Sequence, residues 1–454
     1  MKRILLILIL LSSYLWAQEP SFDVNYPWMT DIREFMIGGD TWGTARSLAL
    51  SGAIGAIGDN SDVVVVNPAL LGLIKRNQFD FNLVYQKQTS DFTYFGSTDG
   101  NSNSISRFHF SSLGLIYSYP VYRGSASLAL GYLKLKDFTQ SNYFSGMTQS
   151  ANSEEPSLLE INEEDKRGHL GTIYFSGAIQ YSPNLYFGAT LNFLSGVHDY
   201  NFSIRRTDPT NYFGLIDYLR KFDTEDTFSG FNFVLGAVYS VYDIYRFSFA
   251  FTSPSWIKVD EKSRSYLWAE DQDAWYFYAD DYGDVAWLDS KYDYRLQLPM
   301  KLNLAFGYQI KNLSWDIDFS FSDYSQMDYN KDPIEGLDHQ RRMNKLYQSS
   351  LGLASGLEFR IPRTLLALQL GGEYRSLPYE TGREAYLNNS NILEIVEEDG
   401  NSNLMAFSLG WLIQIDRNLR FNFAWRYSRW ELKEPILTEK FSDQQIGFGV
   451  TFRM

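Results

Sequence analysis

The feature that most constrains the fold is a strict alternation of apolar and polar residues along long stretches of the chain. It runs from Tyr292 to Gln309, and Leu313–Ser322 and Leu419–Ser428 repeat it. Successive side chains of a β-strand point to opposite faces, so each stretch predicts a strand with one apolar and one polar face. Strands of soluble domains average about five or six residues. Alternation over ten to eighteen residues instead matches a tilted strand that crosses a membrane, which needs about 9–11 residues.

Fourteen segments of this kind predict an all-β fold, a 14-stranded antiparallel transmembrane β-barrel over residues 76–454. Bacterial barrels have an even number of strands, with short periplasmic turns and long external loops. The links here alternate between short and long, so we expect both termini in the periplasm. The predicted strands are 76–87, 105–119, 124–136, 166–181, 184–200, 228–241, 244–259, 291–310, 312–327, 342–360, 363–377, 403–415, 418–430 and 441–454.

Residues 1–17 have the order of a secretory signal peptide. Lys2 and Arg3 precede the apolar run Ile4–Leu11, and Ala17 stands at a cleavage site. The run is too short to span a bilayer, which needs about 20 apolar residues. The alternative interpretation is a buried first helix. Together with the strand pattern, the signal predicts a protein of the cell outer membrane of a Gram-negative bacterium.

The segment between the signal and the first strand, residues 18–75, shows no alternation and is rich in glycine and alanine. Barrel diameter grows with strand number, so fourteen strands enclose more space than wall side chains can fill. We therefore expect residues 18–75 to form an N-terminal plug, or hatch, inside the lumen.

Several motifs resemble the FadL/TodX family of outer-membrane transporters of long-chain fatty acids and other hydrophobic compounds. Gly43–Ala53, Asp59-Asn60 and Asn67-Pro68-Ala69 resemble the hatch of that family, and Leu298-Pro299 and Gly371–Arg375 look like its later strands. The resemblance covers nearly the whole chain, and its most specific element is the turn formed by Asn67, Pro68 and Ala69. The chain departs from the family in its long acidic loop at 260–290.

The resemblance implies a mechanism in which a hydrophobic ligand is captured in an external groove, passed to a pocket above the hatch and released sideways into the membrane. In the family, release occurs through a gap beside a kinked third strand. Here the apolar phase of the third segment changes after Tyr132, where Leu133 follows directly. An inserted residue exchanges the faces of a strand and bends it. We expect a lateral-gate kink at Gly131, Tyr132 and Leu133, with an ordinary bulge at the barrel rim as the alternative.

The loop at 260–290 combines aromatic side chains with nine acidic residues. One interpretation is an external apolar groove with an acidic rim, and the other is a solvated loop whose aromatic residues cover the barrel mouth. The loop lacks the ligand spacing of an EF-hand, so no metal site is predicted. The candidate groove residues are Trp268, Trp275, Tyr276, Phe277, Tyr278 and Trp287.

Composition excludes several functions. The chain has no cysteine, which removes disulfides, thiolate metal sites and cysteine nucleophiles. A net charge of −14 without a basic domain argues against nucleic-acid binding. The four histidines are scattered and no hydrolase motif occurs, so we expect neither an enzyme nor a cofactor.

The expected partners are a hydrophobic small molecule, such as a fatty acid or hydrocarbon, and the lipid of the outer membrane, bound by a monomer. A rival function comes from relatives of the PorV type, which serve as scaffolds or shuttles for secreted proteins and bind a protein through their loops. A passive polar porin is disfavoured by the predicted plug.

Overall fold

The computed structural model of the protein describes residues 43–148, 157–207, 209, 215–271, 288–329, 347–378, 383–387, 393–397, 402–433 and 437–454. The predicted signal peptide and residues 18–42 of the predicted plug lie outside the described residues. The same is true of five candidate groove residues, Trp275, Tyr276, Phe277, Tyr278 and Trp287. Trp268, the sixth, belongs to a described strand, Ser255–Asp271.

The strands, in chain order, are β1 (Gln78–Tyr94), β2 (Ser102–Tyr119), β3 (Ala126–Asp137), β4 (Gln140–Met147), β5 (Leu159–Ser182), β6 (Leu185–Thr207), β7 (Leu215–Val241), β8 (Tyr245–Thr252), β9 (Ser255–Asp271), β10 (Leu288–Leu298), β11 (Lys301–Ile310), β12 (Leu313–Asp323), β13 (Asp328–Tyr329), β14 (Ser349–Arg360), β15 (Leu366–Ser376), β16 (Arg383–Leu387), β17 (Leu393–Glu397), β18 (Asn403–Gln414), β19 (Leu419–Lys433) and β20 (Leu437–Arg453).

Eighteen of these strands form one antiparallel sheet, and β16 pairs with β17 in a separate hairpin. Four wall strands are each built from two pieces, namely β3 with β4, β8 with β9, β10 with β11 and β12 with β13. Counting each such pair once leaves fourteen wall strands. Strand β1 pairs with β20 over its whole length, from Gln78 opposite Arg453 to Tyr94 opposite Leu437, and this closes the sheet. The predicted 14-stranded antiparallel β-barrel is confirmed.

Two of the interruptions coincide with prolines. Pro254 separates β8 from β9, and Pro299 separates β10 from β11. Proline has no backbone N–H to donate to a neighbouring strand, so it ends the regular ladder. The wall continues past both prolines because the pieces on each side keep pairing with the same neighbouring strands.

The outward face of the barrel is apolar in a band that ends in aromatic residues. Tyr122, Tyr181 and Tyr242 stand almost fully exposed beside the short turns. Near the other margin of the band, Phe231 and Trp256 pack with their ring centroids 5.1 Å apart. Aromatic girdles at both interfaces are typical of strands that cross a lipid bilayer.

Strands β5, β6 and β7 are longer than predicted, with 24, 23 and 27 residues. Their additional residues lie on the side away from the short turns. There the outward positions are polar, and Glu225 of β7 faces Lys262 of β9 across 3.5 Å. Polar residues on the outward face remove the alternation that identified the other segments, so the sequence pattern ended these strands too early.

The described part of the N-terminal segment consists of short helices. Helix α1 (Ala45–Ala49) begins at Thr44, and helix α2 (Val63–Val66) is followed by a 3₁₀ helix (Pro68–Leu73). A second 3₁₀ helix (Tyr324–Gln326) follows β12. Within the described ranges, no helix is long and apolar enough to cross a membrane. All residues of α1 are buried, and the helix contacts β1, β15, β18, β19 and β20, so this segment lies inside the lumen.

Candidate functional site: a plugged lumen with an apolar layer

A buried carboxylate organises the start of the plug. Asp62 accepts hydrogen bonds from the Thr44 hydroxyl (2.8 Å), the Thr44 amide (3.1 Å) and the Ser47 hydroxyl. Burial raises the pKa of Asp62 above its ordinary value, and the bonds from Ser47 and Thr44 offset only part of that rise. The backbone amide of Ala45 donates to Asn82 of β1 at 3.0 Å. Helix α1 is thereby tied both to the rest of the plug and to the wall.

An ionic junction joins the plug to three strands of the wall. Asp59 lies 3.0 Å from Arg46, 2.8 Å from Arg420 and 2.7 Å from Arg453, and Arg46 also pairs with Glu358 at 3.0 Å. Burial alone would raise the pKa of Asp59, but the three arginines hold it well below its ordinary value. Arg46 and Asp59 belong to the plug, whereas Glu358, Arg420 and Arg453 come from β14, β19 and β20. Side chains of opposite charge therefore bridge the plug and the wall.

Two further wall carboxylates hold the backbone of the plug. Asp318 of β12 accepts from the amides of Ile54 (3.2 Å) and Gly55 (2.9 Å). Asp316 accepts from the amides of Ala56 (3.0 Å) and Ile57 (2.9 Å). Consecutive amides of one plug turn are thus paired with the wall.

The predicted hatch motif anchors the plug to strands β7 and β8. Asn67 accepts from the amide of Ala69 at 3.0 Å, which caps the 3₁₀ helix that starts at Pro68. Its own amide group donates to the Ser248 hydroxyl at 2.5 Å and to two wall carbonyls at 3.2 Å. A Cβ at Gly236 of β7 would lie 2.0 Å from the Asn67 side-chain oxygen. The wall therefore carries glycine where the motif approaches it.

These contacts place the plug in the half of the barrel next to the short turns, which is the periplasmic half. Asp316 is the fourth residue of β12, Glu358 is third from the end of β14, and Arg420 is the second residue of β19. Each of these positions adjoins a short turn at 311–312, 361–365 or 415–418. The outer half of the lumen is lined by other side chains.

That outer half contains an apolar layer, which we define as fourteen buried, mutually contacting side chains from strands around the wall. It includes large residues such as Phe228, Trp430 and Phe441, and none of its members is more than 6% exposed. The inward face of an outer-membrane barrel is ordinarily polar. The layer consists of Phe138, Leu170, Leu194, Phe228, Ile257, Val259, Tyr294, Leu296, Met327, Leu377, Leu404, Trp430, Leu432 and Phe441.

The third wall strand is irregular, but not at the predicted position. Gly131, Tyr132 and Leu133 pair regularly with both β2 and β5. The register shift lies between Lys134 and Lys136, and β3 ends at Asp137 before β4 begins. The kink predicted at Gly131, Tyr132 and Leu133 is therefore displaced toward the outer end of the strand. An apolar residue, Leu133, directly follows Tyr132 because Leu133 faces the lumen and packs on the plug. No residue is inserted at this position.

Beside this irregularity, the backbone ladder between β2 and the third wall strand stops. The last pair is Ser112 with Leu133, and beyond it side chains bridge the two strands. The Arg107 guanidinium of β2 lies 2.8 Å from Asp137 of β3. Asn103 donates to the carbonyl of Tyr143 at 2.8 Å and accepts from its amide at 2.9 Å. We call this stretch the β2–β3 break; it is a part of the wall held by side chains.

Sequence reasoning singled out Asn67, Pro68 and Ala69 but missed the wall residues that hold the plug and the members of the apolar layer. The polar inward positions of the alternating strands were visible, yet nothing distinguished Asp316 or Arg420 from residues in contact with water. Within the described ranges, no group of three or more histidine or acidic residues is arranged to hold a metal ion.

Comparison with known proteins assigns the chain to a family. The sequence model of the family described as BamG matches residues 1–363, which is most of the chain. The chain belongs to the BamG family. A search of curated proteins found no significant match for this BamG-family chain.

Solved structures show which fold this BamG-family member shares. A FadL homologue from Pseudomonas aeruginosa superposes with a TM-score of 0.60 at 13% identity, covering 91% of this chain and 99% of that one. The Pseudomonas putida toluene transporter TodX gives 0.59 at 14% identity, with coverages of 92% and 99%. The Ralstonia pickettii toluene transporter TbuX gives 0.53 at 15% identity, with coverages of 91% and 99%. The protein is a FadL-like β-barrel of the Gram-negative outer membrane.

Proposed function

We propose that the protein transports hydrophobic compounds across the outer membrane, with the apolar layer as the ligand site and the β2–β3 break as a sideways exit into lipid. The observation that carries this proposal is the apolar layer above a plug held by charged contacts. A lumen that conducts water and polar solutes has no use for fourteen contacting apolar side chains. Flexible leucine, methionine and aromatic side chains can separate around an acyl chain or an aromatic ring.

The sideways exit has a physical reason. Each methylene group exposed to water costs about 0.8 kcal/mol, so a route through the aqueous periplasm is unfavourable for a long chain. An exit through the wall transfers the ligand from one apolar environment to another. The β2–β3 break supports this route because side chains hold the two strands together there. Once those side chains separate, no ladder of backbone hydrogen bonds has to be broken.

Uptake by the full-length protein in proteoliposomes tests the proposal, with labelled hexadecanol as the probe. Phe228→Asp places a charge in the apolar layer and is expected to reduce uptake about tenfold or more. Thr227→Asp is the matched control, since Thr227 is its neighbour on β7 and faces outward beyond the lipid-facing band. Uptake at the wild-type rate in Phe228→Asp contradicts the proposal.

A second candidate function is a scaffold or shuttle for secreted proteins. It is favoured by the extension of β5, β6 and β7 beyond the lipid-facing band, which offers a paired sheet with a polar outer face. Transport of a small molecule does not require such a surface. Deleting the gene separates the two functions: loss of hexadecanol uptake supports transport, whereas loss of surface proteins with unchanged uptake supports the scaffold.

A further inference from the structure

Three titratable side chains project into the lumen from adjacent strands at one level, beside the apolar layer. His198 of β6 is paired in register with Asp226 of β7, and Asp226 is paired with Glu261 of β9. Each of the three is only 2% exposed. Phe228 and Val259, two members of the apolar layer, stand two residues from Asp226 and Glu261 on the same inward faces. We call these three residues the acidic trio.

The acidic trio lies on the outer side of the apolar layer. Strand β7 ends at a short periplasmic turn at Tyr242, and Asp226 is farther from that turn than Phe228. On the outward face at the same level, Glu225 and Lys262 are exposed and form an ion pair at 3.5 Å. The surrounding wall is therefore beyond the lipid-facing band. A ligand arriving from outside meets the acidic trio before it reaches the apolar layer.

The hydrogen bonds of the acidic trio are incomplete. The His198 Nδ1 lies 3.1 Å from the Asp226 carboxylate, so in the neutral ring Nδ1 donates and Nε2 is left as an acceptor. Among the described residues, Nε2 has no partner. The Tyr294 hydroxyl is near enough to Glu261 to donate one hydrogen bond, and within the described residues this carboxyl group has no other side-chain donor. Buried polar groups are nearly always bonded, so these acceptors indicate a missing donor.

The missing donor carries positive charge or several N–H groups. The open positions of His198 and Glu261 are acceptors, and the acidic trio holds two carboxylic acid groups. Lys166 of β5, a nearby cation, is 3.0 Å from Glu164 and lies over the ring of Tyr200. A metal ion does not fit, because no metal-binding arrangement exists among the described residues. A compact organic cation satisfies the charge and the acceptors together.

We propose that the acidic trio binds the ammonium head of an amphiphile whose alkyl chain lies in the adjacent apolar layer, and that it rejects a carboxylate head. This inference rests on the proposed function and names the class of its ligand. The ammonium group supplies three N–H donors for the open acceptor positions of His198 and Glu261. A fatty-acid head supplies a negative charge beside Asp226, which opposes binding.

Equilibrium binding to the full-length protein in phosphatidylcholine nanodiscs tests the inference. The probes are tritiated hexadecylamine, hexadecanol and palmitate, which share an alkyl chain and differ in the head. We expect hexadecylamine to bind about tenfold more tightly than palmitate. Glu261→Gln should weaken hexadecylamine binding about tenfold and leave hexadecanol binding unchanged, whereas Glu225→Gln, the exposed control on β7, should change neither.

The outcomes separate this inference from the proposed function. Binding of palmitate as tightly as hexadecylamine, or an amine preference that survives in Glu261→Gln, overturns the inference while hexadecanol binding still supports the proposed function. Failure of all three probes to bind contradicts both. If Glu261→Gln does not fold, Asp226→Asn replaces it, with the same expected loss of amine preference.

Discussion

At the scale of single residues, the plug is held by charges that match one another across the lumen. Asp59 meets three arginines, and Arg46 meets a second carboxylate at Glu358. Removing one member of a buried ion pair leaves its partner uncompensated, and this costs more than the pair contributes. The ionic junction is therefore the place where a small chemical change should loosen the plug.

The variant Asp59→Asn should raise the single-channel conductance of the protein in planar bilayers, because three arginines lose their shared counter-charge. The stability of the plug should fall by about 2 kcal/mol, in the range for hydrogen bonds to charged groups. The control is Asp260→Asn, which removes an exposed ion pair with Lys258 and should change nothing measurable. Equal conductance of Asp59→Asn and wild type contradicts this role.

The same junction predicts the direction of a pH effect. The pKa of Asp59 in the folded protein lies well below its ordinary value of 3.8. A carboxyl group of this kind stabilises the fold above its unfolded pKa, and the stabilisation is lost as pH falls through the folded pKa. The stabilisation of the plug by Asp59 should therefore stay constant from neutral pH to about 4 and be lost only in stronger acid. In conductance recordings, the conductance should rise only in that acid range.

The glycine opposite the hatch motif gives a steric test. A Cβ at Gly236 would lie 2.0 Å from the Asn67 side chain, whereas a Cβ at Gly372 would meet only a carbonyl oxygen at 3.8 Å. Gly236→Ala should therefore destabilise the protein by about 1–3 kcal/mol, and Gly372→Ala should not. The measurement is the temperature of the gel-mobility shift between folded and unfolded barrel. Equal shifts for the two variants would show that Asn67 is not closely seated.

At the scale of strands, the alternation of residue types predicts the existence and order of the wall strands, because lipid outside and a polar lumen impose a period of two. It does not predict where β5, β6 and β7 end, since the outward face of a strand is polar beyond the membrane. It also misplaces the irregularity of the third strand. Leu133 faces the plug, and a lumen-facing leucine has the same appearance in sequence as a change of register.

The β2–β3 break predicts a reversible block of transport. The chain has no cysteine, so Arg107→Cys with Thr139→Cys provides the only thiols for a short bis-methanethiosulfonate cross-linker. Arg107 donates to the Thr139 carbonyl across the break. Cross-linking should reduce hexadecanol uptake about tenfold, and a reductant should restore it, because the sideways exit is tied shut.

The control for that experiment is a pair of cysteines where the wall is already continuous. Lys87 of β1 and Ser106 of β2 are paired in register within a regular ladder. Cross-linking Lys87→Cys to Ser106→Cys should leave uptake unchanged. If both cross-links leave uptake unchanged, the β2–β3 break is not the exit.

At the scale of the whole molecule, the lumen is closed twice, by a plug in the periplasmic half and by the apolar layer in the outer half. Sequence reasoning predicted the barrel and the plug but not the apolar layer. Its members come from strands far apart in the chain. Leu194 and Trp430 occupy inward positions that the alternation assigns to polar residues, whereas Tyr294 and Leu296 stand on the apolar face of the stretch Tyr292–Gln309, so the pattern does not mark the layer. Their proximity is a consequence of barrel closure, which single-strand periodicity does not record.

Photo-cross-linking with a diazirine-bearing hexadecanol tests the central claim most directly. The full-length protein in lipid vesicles is labelled, digested and mapped by mass spectrometry, with excess hexadecanol as competitor. We predict that the label which excess hexadecanol displaces lies on inward residues of the apolar layer, above all Phe228, Trp430 and Phe441. Label confined to outward, lipid-facing residues such as Leu235 and Phe231, or label that hexadecanol does not displace, would contradict a lumenal site for hydrophobic ligands.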